Sequence, residues 1–167
     1  MKILPWICAR CAREFPASRL RELTVHHRDG DHHNNQMSAG PDGKVYFGQG
    51  TVTNSGVVGL DNYKMGWLKD HRELHDVSAR NVALVGRVFE TSNPFTPDDD
   101  KAQTSAFHPF ARSTPQNSRV AGQAKASGTI LRMNPDGTDL EVYAWGLRHP
   151  FGVMWSPDGK LYATENG

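Results

Sequence analysis

The stretch that decides the fold is TILRMNPDGTDLEVYAW (129–145), and FGVMWSPDGKLYAT (151–164) soon repeats its pattern. In both, an apolar or alternating run leads into a Pro-Asp-Gly turn, and a second such run follows. Proline presets φ for the first turn position, aspartate bonds back to the backbone, and glycine supplies the positive φ that closes the turn. Each stretch is therefore predicted to form an antiparallel β-hairpin.

A third Pro-Asp-Gly turn, at 41–43, precedes the run KVYF (44–47) and is likewise predicted to be the tip of a β-hairpin. The turns at 135–137 and 157–159 lie close enough for their two hairpins to make one four-stranded unit, the size of a propeller blade. The alternation predicts an apolar interior for this all-β unit. Its predicted core residues are Ile130, Val142, Trp145, Val153, Trp155 and Leu161.

Two long segments, 54–80 and 92–127, are rich in Gly, Asn, Ser, Pro and charged residues. Such composition without a sustained period is typical of loop insertions. A short helix at 65–74 and a strand at 82–90 are the elements predicted in this region.

Composition excludes some classes of function. The 167 residues carry 19 basic and 18 acidic side chains, so the net charge of +1 argues against a protein that grips nucleic acid along its whole length. No apolar run approaches the ~20 residues that a membrane helix needs, and no export signal is recognisable. We predict no membrane partner and leave the compartment open.

The first 36 residues differ in composition from the rest, since they hold both cysteines and half of the eight histidines. Such a shift suggests two unrelated pieces joined near 32–36. Cys8 and Cys11 form a single Cys-x-x-Cys pair, which fits a metal half-site or a redox pair better than a secreted disulfide framework. Inert thiols remain the alternative for both cysteines.

The second piece, residues 32–167, resembles the glucose/sorbosone dehydrogenase family. The runs that carry the resemblance are GPDGKVYFG (40–48), MNPDGTDL (133–140), GLRHPFG (146–152) and SPDGKLYATENG (156–167). The resemblance implies part of a six-bladed β-propeller, one to two blades with long loop insertions. It also implies oxidation of a sugar hydroxyl or aldehyde with pyrroloquinoline quinone held beside Ca²⁺, in proteins that act in the periplasm.

By this resemblance His32, eight residues before Gly40, would be the general base. Oxidising an alcohol needs a group with a pKa near 7 to take the O–H proton while hydride leaves carbon. Thr51 stands where the family commonly has an aspartate that supports the base. A histidine exposed to solvent in a loop is the structural alternative for His32.

The same resemblance implies that Arg148 contacts the cofactor, with His149 beside it at a position where the family usually has asparagine. Asn166 would line the pocket, and the carbonyl of Gly167 would bind Ca²⁺. A cationic guanidinium suits a tricarboxylate cofactor, and a hard cation suits backbone oxygens. The alternative for Arg148 is a structural bond to loop carbonyls. The sequence does not identify the electron acceptor.

The first piece, residues 1–31, resembles a different family, the small bacterial HNH nucleases. The similar runs are PWICARCAREF (5–15) and LRELTVHHRDGDHHNN (20–35). The resemblance implies that His26 is a metal ligand, that His27 is the base that activates water, and that Cys8 and Cys11 are half of a structural zinc site. The other half of both metal sites is not found in the sequence.

Three hypotheses follow. The main one is a fragment of a sorbosone or glucose dehydrogenase-like oxidoreductase. The alternatives are a metal-binding fragment related to HNH endonucleases, with nucleic acid as its partner, and a fused or truncated product without an intact active site.

Overall fold

The computed structural model describes residues 6–7, 14–15, 30–98 and 100–167. The described residues form mainly short strands with two one-turn to two-turn helices. In chain order the elements are β1 (Trp6–Ile7), β2 (Glu14–Phe15), β3 (Asn34–Ala39), β4 (Val45–Gln49), α1 (Leu60–Met65), α2 (Trp67–Asp70), β5 (Val82–Ala83), β6 (Phe89–Ser92), β7 (Lys101–Thr104), β8 (Arg119–Val120), β9 (Thr129–Met133), β10 (Glu141–Trp145), β11 (Pro150–Trp155) and β12 (Leu161–Glu165).

All three Pro-Asp-Gly turns close hairpins, as predicted. They join β3 to β4, β9 to β10 and β11 to β12, each pair antiparallel. The turn glycines Gly43, Gly137 and Gly159 have φ of +80°, +85° and +78°. Only glycine adopts such values without strain, so the turn type follows directly from the sequence.

The pairing of hairpins differs from the prediction. The four-stranded sheet has the order β10-β9-β4-β3. Hairpin β9–β10 therefore pairs with hairpin β3–β4, which precedes the long insertion, and not with hairpin β11–β12. The hairpin β11–β12 is a separate two-stranded sheet that packs against β3 and β4. The prediction of one unit from 129–164 was wrong because hairpin periodicity fixes which strands are neighbours locally and is silent about pairing between distant hairpins.

The two faces of the four-stranded sheet bury different side chains. One face packs Tyr46 and Ile130 against Val153 of the neighbouring hairpin. The other buries Phe47, Leu131 and Met133. This alternation along β4 and β9 is the period of two expected of strands.

The burial predictions hold in part. Ile130 and Val153 are buried, whereas Val142, Trp155 and Leu161 are half-buried. Trp145 was placed wrongly, since 42% of it is exposed. It ends an edge strand, β10, where few neighbours cover it.

The insertion between β4 and β9 has its own apolar cluster and small elements. The cluster comprises Val52, Val58, Trp67, Leu68, Leu74, Ala102 and Phe110. The helix predicted at 65–74 begins earlier and is broken in two by Gly66, which has φ of +107°. The strand predicted at 82–90 is wrong, because β5 and β6 belong to different sheets and Gly86, with φ of +72°, lies between them.

The described residues confirm the all-β class. Their sheets do not close into a propeller, and the partial propeller stays a prediction, as does the boundary between residues 31 and 32. Within the described part of the chain, no helix is long and apolar enough to cross a bilayer.

Candidate functional site

His32 lies just before β3 in the interior of the protein, with 7% of its surface exposed. Its Cβ lies so close to Gly50 that any side chain at position 50 would overlap it. The alternative of a solvent-exposed loop histidine was therefore wrong. Because Gly50 has no side chain, its backbone packs closely against His32, which fixes His32 beside the end of β4.

Thr51 fixes the tautomer of His32. Nδ1 of the imidazole lies 3.1 Å from the carbonyl oxygen of Thr51 and 3.0 Å from its Oγ1. The hydroxyl proton is already donated to the carbonyl oxygen of Thr53, at 2.7 Å. Both Thr51 oxygens are then acceptors toward the ring, so Nδ1 carries the proton and Nε2 keeps its lone pair. An imidazole in this form can accept a proton at Nε2.

The crossing between β10 and β11 brings Arg148 and His149 to this histidine. The Thr51 N–H donates to the carbonyl oxygen of Arg148 at 2.8 Å. Oε1 of Glu165 accepts the backbone N–H groups of Arg148 and His149 at 2.7 and 2.8 Å. The rings of His32 and His149 consequently lie 4.9 Å apart, centre to centre.

The guanidinium of Arg148 is held by two loops. Nη2 donates to the carbonyl oxygen of Asn166 at 2.9 Å, and Nη1 donates to Oδ1 of Asn54. Nε is buried and has no hydrogen-bond partner among the described residues. The structural alternative for Arg148, a bond to a loop carbonyl, is thus present, and Nε is left without a partner among the described residues.

His149 has both ring nitrogens buried without a partner in the described part of the chain. Burial, and next the charge that His32 can carry, lower the pKa of His149, while Glu165 acts in the opposite direction. The neutral imidazole is therefore favoured at neutral pH, offering one donor and one acceptor. Buried polar atoms of this kind ordinarily have partners, so His149 and Nε of Arg148 are unusual in having none among the described residues.

Some of the predicted site residues are brought together by the fold, and others are not. His32, Arg148, His149 and Asn166 are brought together. The chemistry assigned to them by resemblance stays a prediction, and so does the Ca²⁺-binding carbonyl of Gly167, a residue at the exposed end of the chain.

The other predicted metal ligands lie outside the described residues: Cys8, Cys11, His26 and His27. Across 30–98 and 100–167, no three His, Cys, Asp or Glu side chains are grouped so as to hold a metal ion. The possible Zn²⁺ and Ca²⁺ sites accordingly stay predictions.

Sequence reasoning missed three residues that shape the site: Asn54, Asp76 and Glu165. Glu165 is the last residue of β12 and lies within the quoted run 156–167, directly after the strand residues predicted there, which was a usable signal. Asn54 and Asp76 lie in the polar insertion, where no local pattern distinguishes them from solvated residues.

Comparison with known proteins gives one short similarity. The protein named "Putative HNH nuclease YajD" from Escherichia coli K12 is 69% identical over 35 residues, which are 21% of this chain and 30% of YajD. The YajD of Salmonella typhimurium LT2 is 66% identical over the same length. The match thus spans less than a third of these relatives. No family model matches the chain, and no solved structure matches it, so the dehydrogenase resemblance gains no support here.

Proposed function

We propose that the N-terminal segment, residues 1–31, is a metal-binding piece of an HNH-nuclease-like site. The observation that carries this proposal is the 69% identity to YajD over 35 residues. By the resemblance, Cys8 and Cys11 supply two thiolates and His26 an imidazole. This donor set fits a thiophilic, borderline ion such as Zn²⁺, which takes Cys and His ligands in tetrahedral sites.

We expect the segment to bind a metal ion but not to cleave nucleic acid. A structural zinc site needs four protein ligands, and the sequence offers one Cys-x-x-Cys pair in place of two. His27 would be the base of a nuclease, yet the metal site that directs its water needs further ligands. Nucleic acid, the partner that the resemblance to HNH nucleases implies, is the partner class of this proposal.

Metal binding is tested by titrating the full chain with Co²⁺ and following the thiolate-to-cobalt absorption band. We expect the wild type to develop the band and Cys8→Ser to bind at least ~10-fold more weakly, because one of few ligands is lost. His108→Gln, a histidine in the insertion, is the control and should titrate like the wild type. Absence of the band in the wild type, or an unchanged titration of Cys8→Ser, would contradict the proposal.

For residues 32–167 a second candidate is a sugar or aldehyde oxidoreductase fragment. One observation favours it: the ring of His149, whose two nitrogens are buried without a partner among the described residues, lies 4.9 Å from the ring of His32, and Nε of the adjacent Arg148 is likewise unpaired. These buried polar atoms without partners fit a polar, anionic group such as pyrroloquinoline quinone. Arg148, His149 and Asn166 would hold it, and the carbonyl of Gly167 would bind its Ca²⁺.

When bound, the quinone would accept the hydride of the substrate. The work of the chain itself is to take up the proton. Nε2 of His32 accepts it from the substrate hydroxyl, and the two oxygens of Thr51 keep Nδ1–H in place. Arg148 would orient a carboxylate or quinone oxygen by a charge-assisted bond. The substrate class is a sugar hydroxyl or a hydrated aldehyde.

The oxidoreductase proposal is tested with quinone and Ca²⁺ added to the full chain. Quinone affinity is measured by fluorescence quenching, and turnover by dye reduction with sugars and aldehydes. We expect His32→Gln to lower turnover roughly 10²- to 10⁴-fold with quinone affinity unchanged, since only the base is lost. Arg148→Ala should weaken quinone binding itself.

Two outcomes would overturn this second candidate. Equal turnover in the wild type and His32→Gln would remove His32 as the base. No quinone binding by the wild type would leave the third hypothesis, a fused or truncated product without an intact oxidoreductase site.

A further inference from the structure

Asp76 is a buried carboxylate in the insertion, with 5% of its surface exposed. Its Oδ1 accepts the N–H of Val52 at 2.7 Å. Its Oδ2 accepts the N–H of Thr53 at 3.4 Å and the hydroxyl of Thr53. Burial raises the pKa of Asp76, and the hydrogen bonds from Thr53 and Val52 oppose that rise. A carboxylate taken out of water at this cost is kept only where its partners are fixed.

Besides Ser127, the partners of Asp76 are Val52 and Thr53, the two residues that follow Thr51, and each of them connects to His32 through a hydrogen bond of its carbonyl oxygen. The carbonyl oxygen of Val52 accepts the N–H of Asp31, the residue before His32, at 2.8 Å. The carbonyl oxygen of Thr53 accepts the Thr51 hydroxyl, which leaves Oγ1 of Thr51 as an acceptor for Nδ1 of His32. Asp76 thus fixes the peptides that determine both the backbone position and the tautomer of His32.

Asp31 is anchored independently. Its carboxylate accepts Nε1–H of Trp67 at 2.8 Å and Nδ2–H of Asn62 at 3.0 Å. These bonds tie the segment before His32 to α1 and α2. They do not involve the ring of His32, so the selection of its tautomer falls to residues 51–53.

We infer that Asp76 is a positioning residue for His32: its carboxylate holds residues 52–53 so that Thr51 presents two acceptors to Nδ1 and the proton of the neutral ring stays on Nδ1. The catalytic meaning of this arrangement rests on the oxidoreductase proposal. The arrangement itself does not, because it concerns the hydrogen bonds of this chain alone. The insertion between β4 and β9 therefore contributes to the site although its sequence has the composition of a loop.

The test is the tautomer of His32, read from the ¹⁵N shifts of its ring in the full chain near pH 8. We expect the wild type to show Nδ1–H almost wholly. Asp76→Ala should give a mixture of the two tautomers, a several-fold gain in Nε2–H, since the Thr53 carbonyl that takes the Thr51 hydroxyl proton is no longer held in place. Thr53→Val, which removes one hydroxyl donor and leaves the carboxylate, should shift the ring in the same direction by less.

Thr104→Val is the matched control. Thr104 is as buried as Thr53, at 1% exposed, and its Oγ1 accepts one backbone N–H, that of Ala111, in the insertion. It should lower stability without changing the spectrum of His32. If Asp76→Ala does not fold, Asp76→Asn and Thr53→Val decide the question.

An unchanged His32 tautomer in folded Asp76→Ala, or in both Asp76→Asn and Thr53→Val, would overturn the inference. Because the measurement needs no quinone, its failure is distinct from a failure of the oxidoreductase proposal. A shifted tautomer in a chain that binds no quinone would support the inference and reject that function.

Discussion

Gly128→Ala is expected to lower the free energy of unfolding by about 3–5 kcal/mol, the range of a severe backbone substitution. Gly128 has φ of +61°, a left-handed conformation that costs an alanine roughly 1–2 kcal/mol. A Cβ at this position would also overlap the carbonyl oxygen of Leu147 and approach Cγ2 of Thr51 to 3.2 Å. Since the obstacle is backbone, it cannot rotate away.

The damage should reach the site, because Gly128 joins the start of β9 to the crossing that carries Arg148. The carbonyl oxygen of Gly128 accepts the N–H of Leu147 at 3.0 Å. Chemical denaturation followed by tryptophan fluorescence measures the loss. Gly137→Ala is the control: φ is +85° there, yet nothing lies within 4 Å of the added methyl, so only the conformational cost should appear. Equal losses in the two variants would show that the contact with Leu147 carries no cost.

Leu131→Ala is expected to lower the free energy of unfolding by about 2–5 kcal/mol. Leu131 is fully buried at the centre of β9, opposite Phe47 of β4 and Val142 of β10. Removing its side chain leaves a cavity in the apolar cluster. Because β9 is paired with a strand on each side, the surrounding backbone has little freedom to collapse into that cavity.

The same denaturation experiment checks this second prediction. Met154→Ala on β11 is the comparison, since 61% of Met154 is exposed and its truncation should change stability by no more than ~0.5 kcal/mol. A loss in Leu131→Ala no greater than that in Met154→Ala would mean that the apolar face of β9 contributes little to stability.

The position of the site residues was partly predictable. The resemblance to the dehydrogenase family implied His32, by its place eight residues before Gly40, and Arg148 and His149, by their place in the crossing after β10. The structure brings the three together through Thr51 and Glu165. The role of Asp76 could not be predicted, because its partners lie more than 20 residues away in sequence and include backbone N–H groups, which carry no sequence signal.

The sequence by itself determined the local structure: three hairpins, each closed by a glycine with positive φ, because a turn is decided by residues adjacent in the chain. It also determined the short nuclease-like similarity of the N-terminal segment. Only the tertiary structure decided that β4 pairs with β9 across the insertion, that His32 is buried, and that Trp145 is exposed. These features depend on contacts between segments that are distant in sequence. The free energy of such contacts comes from side chains and backbone groups that meet only on folding, so no local sequence pattern predicts it.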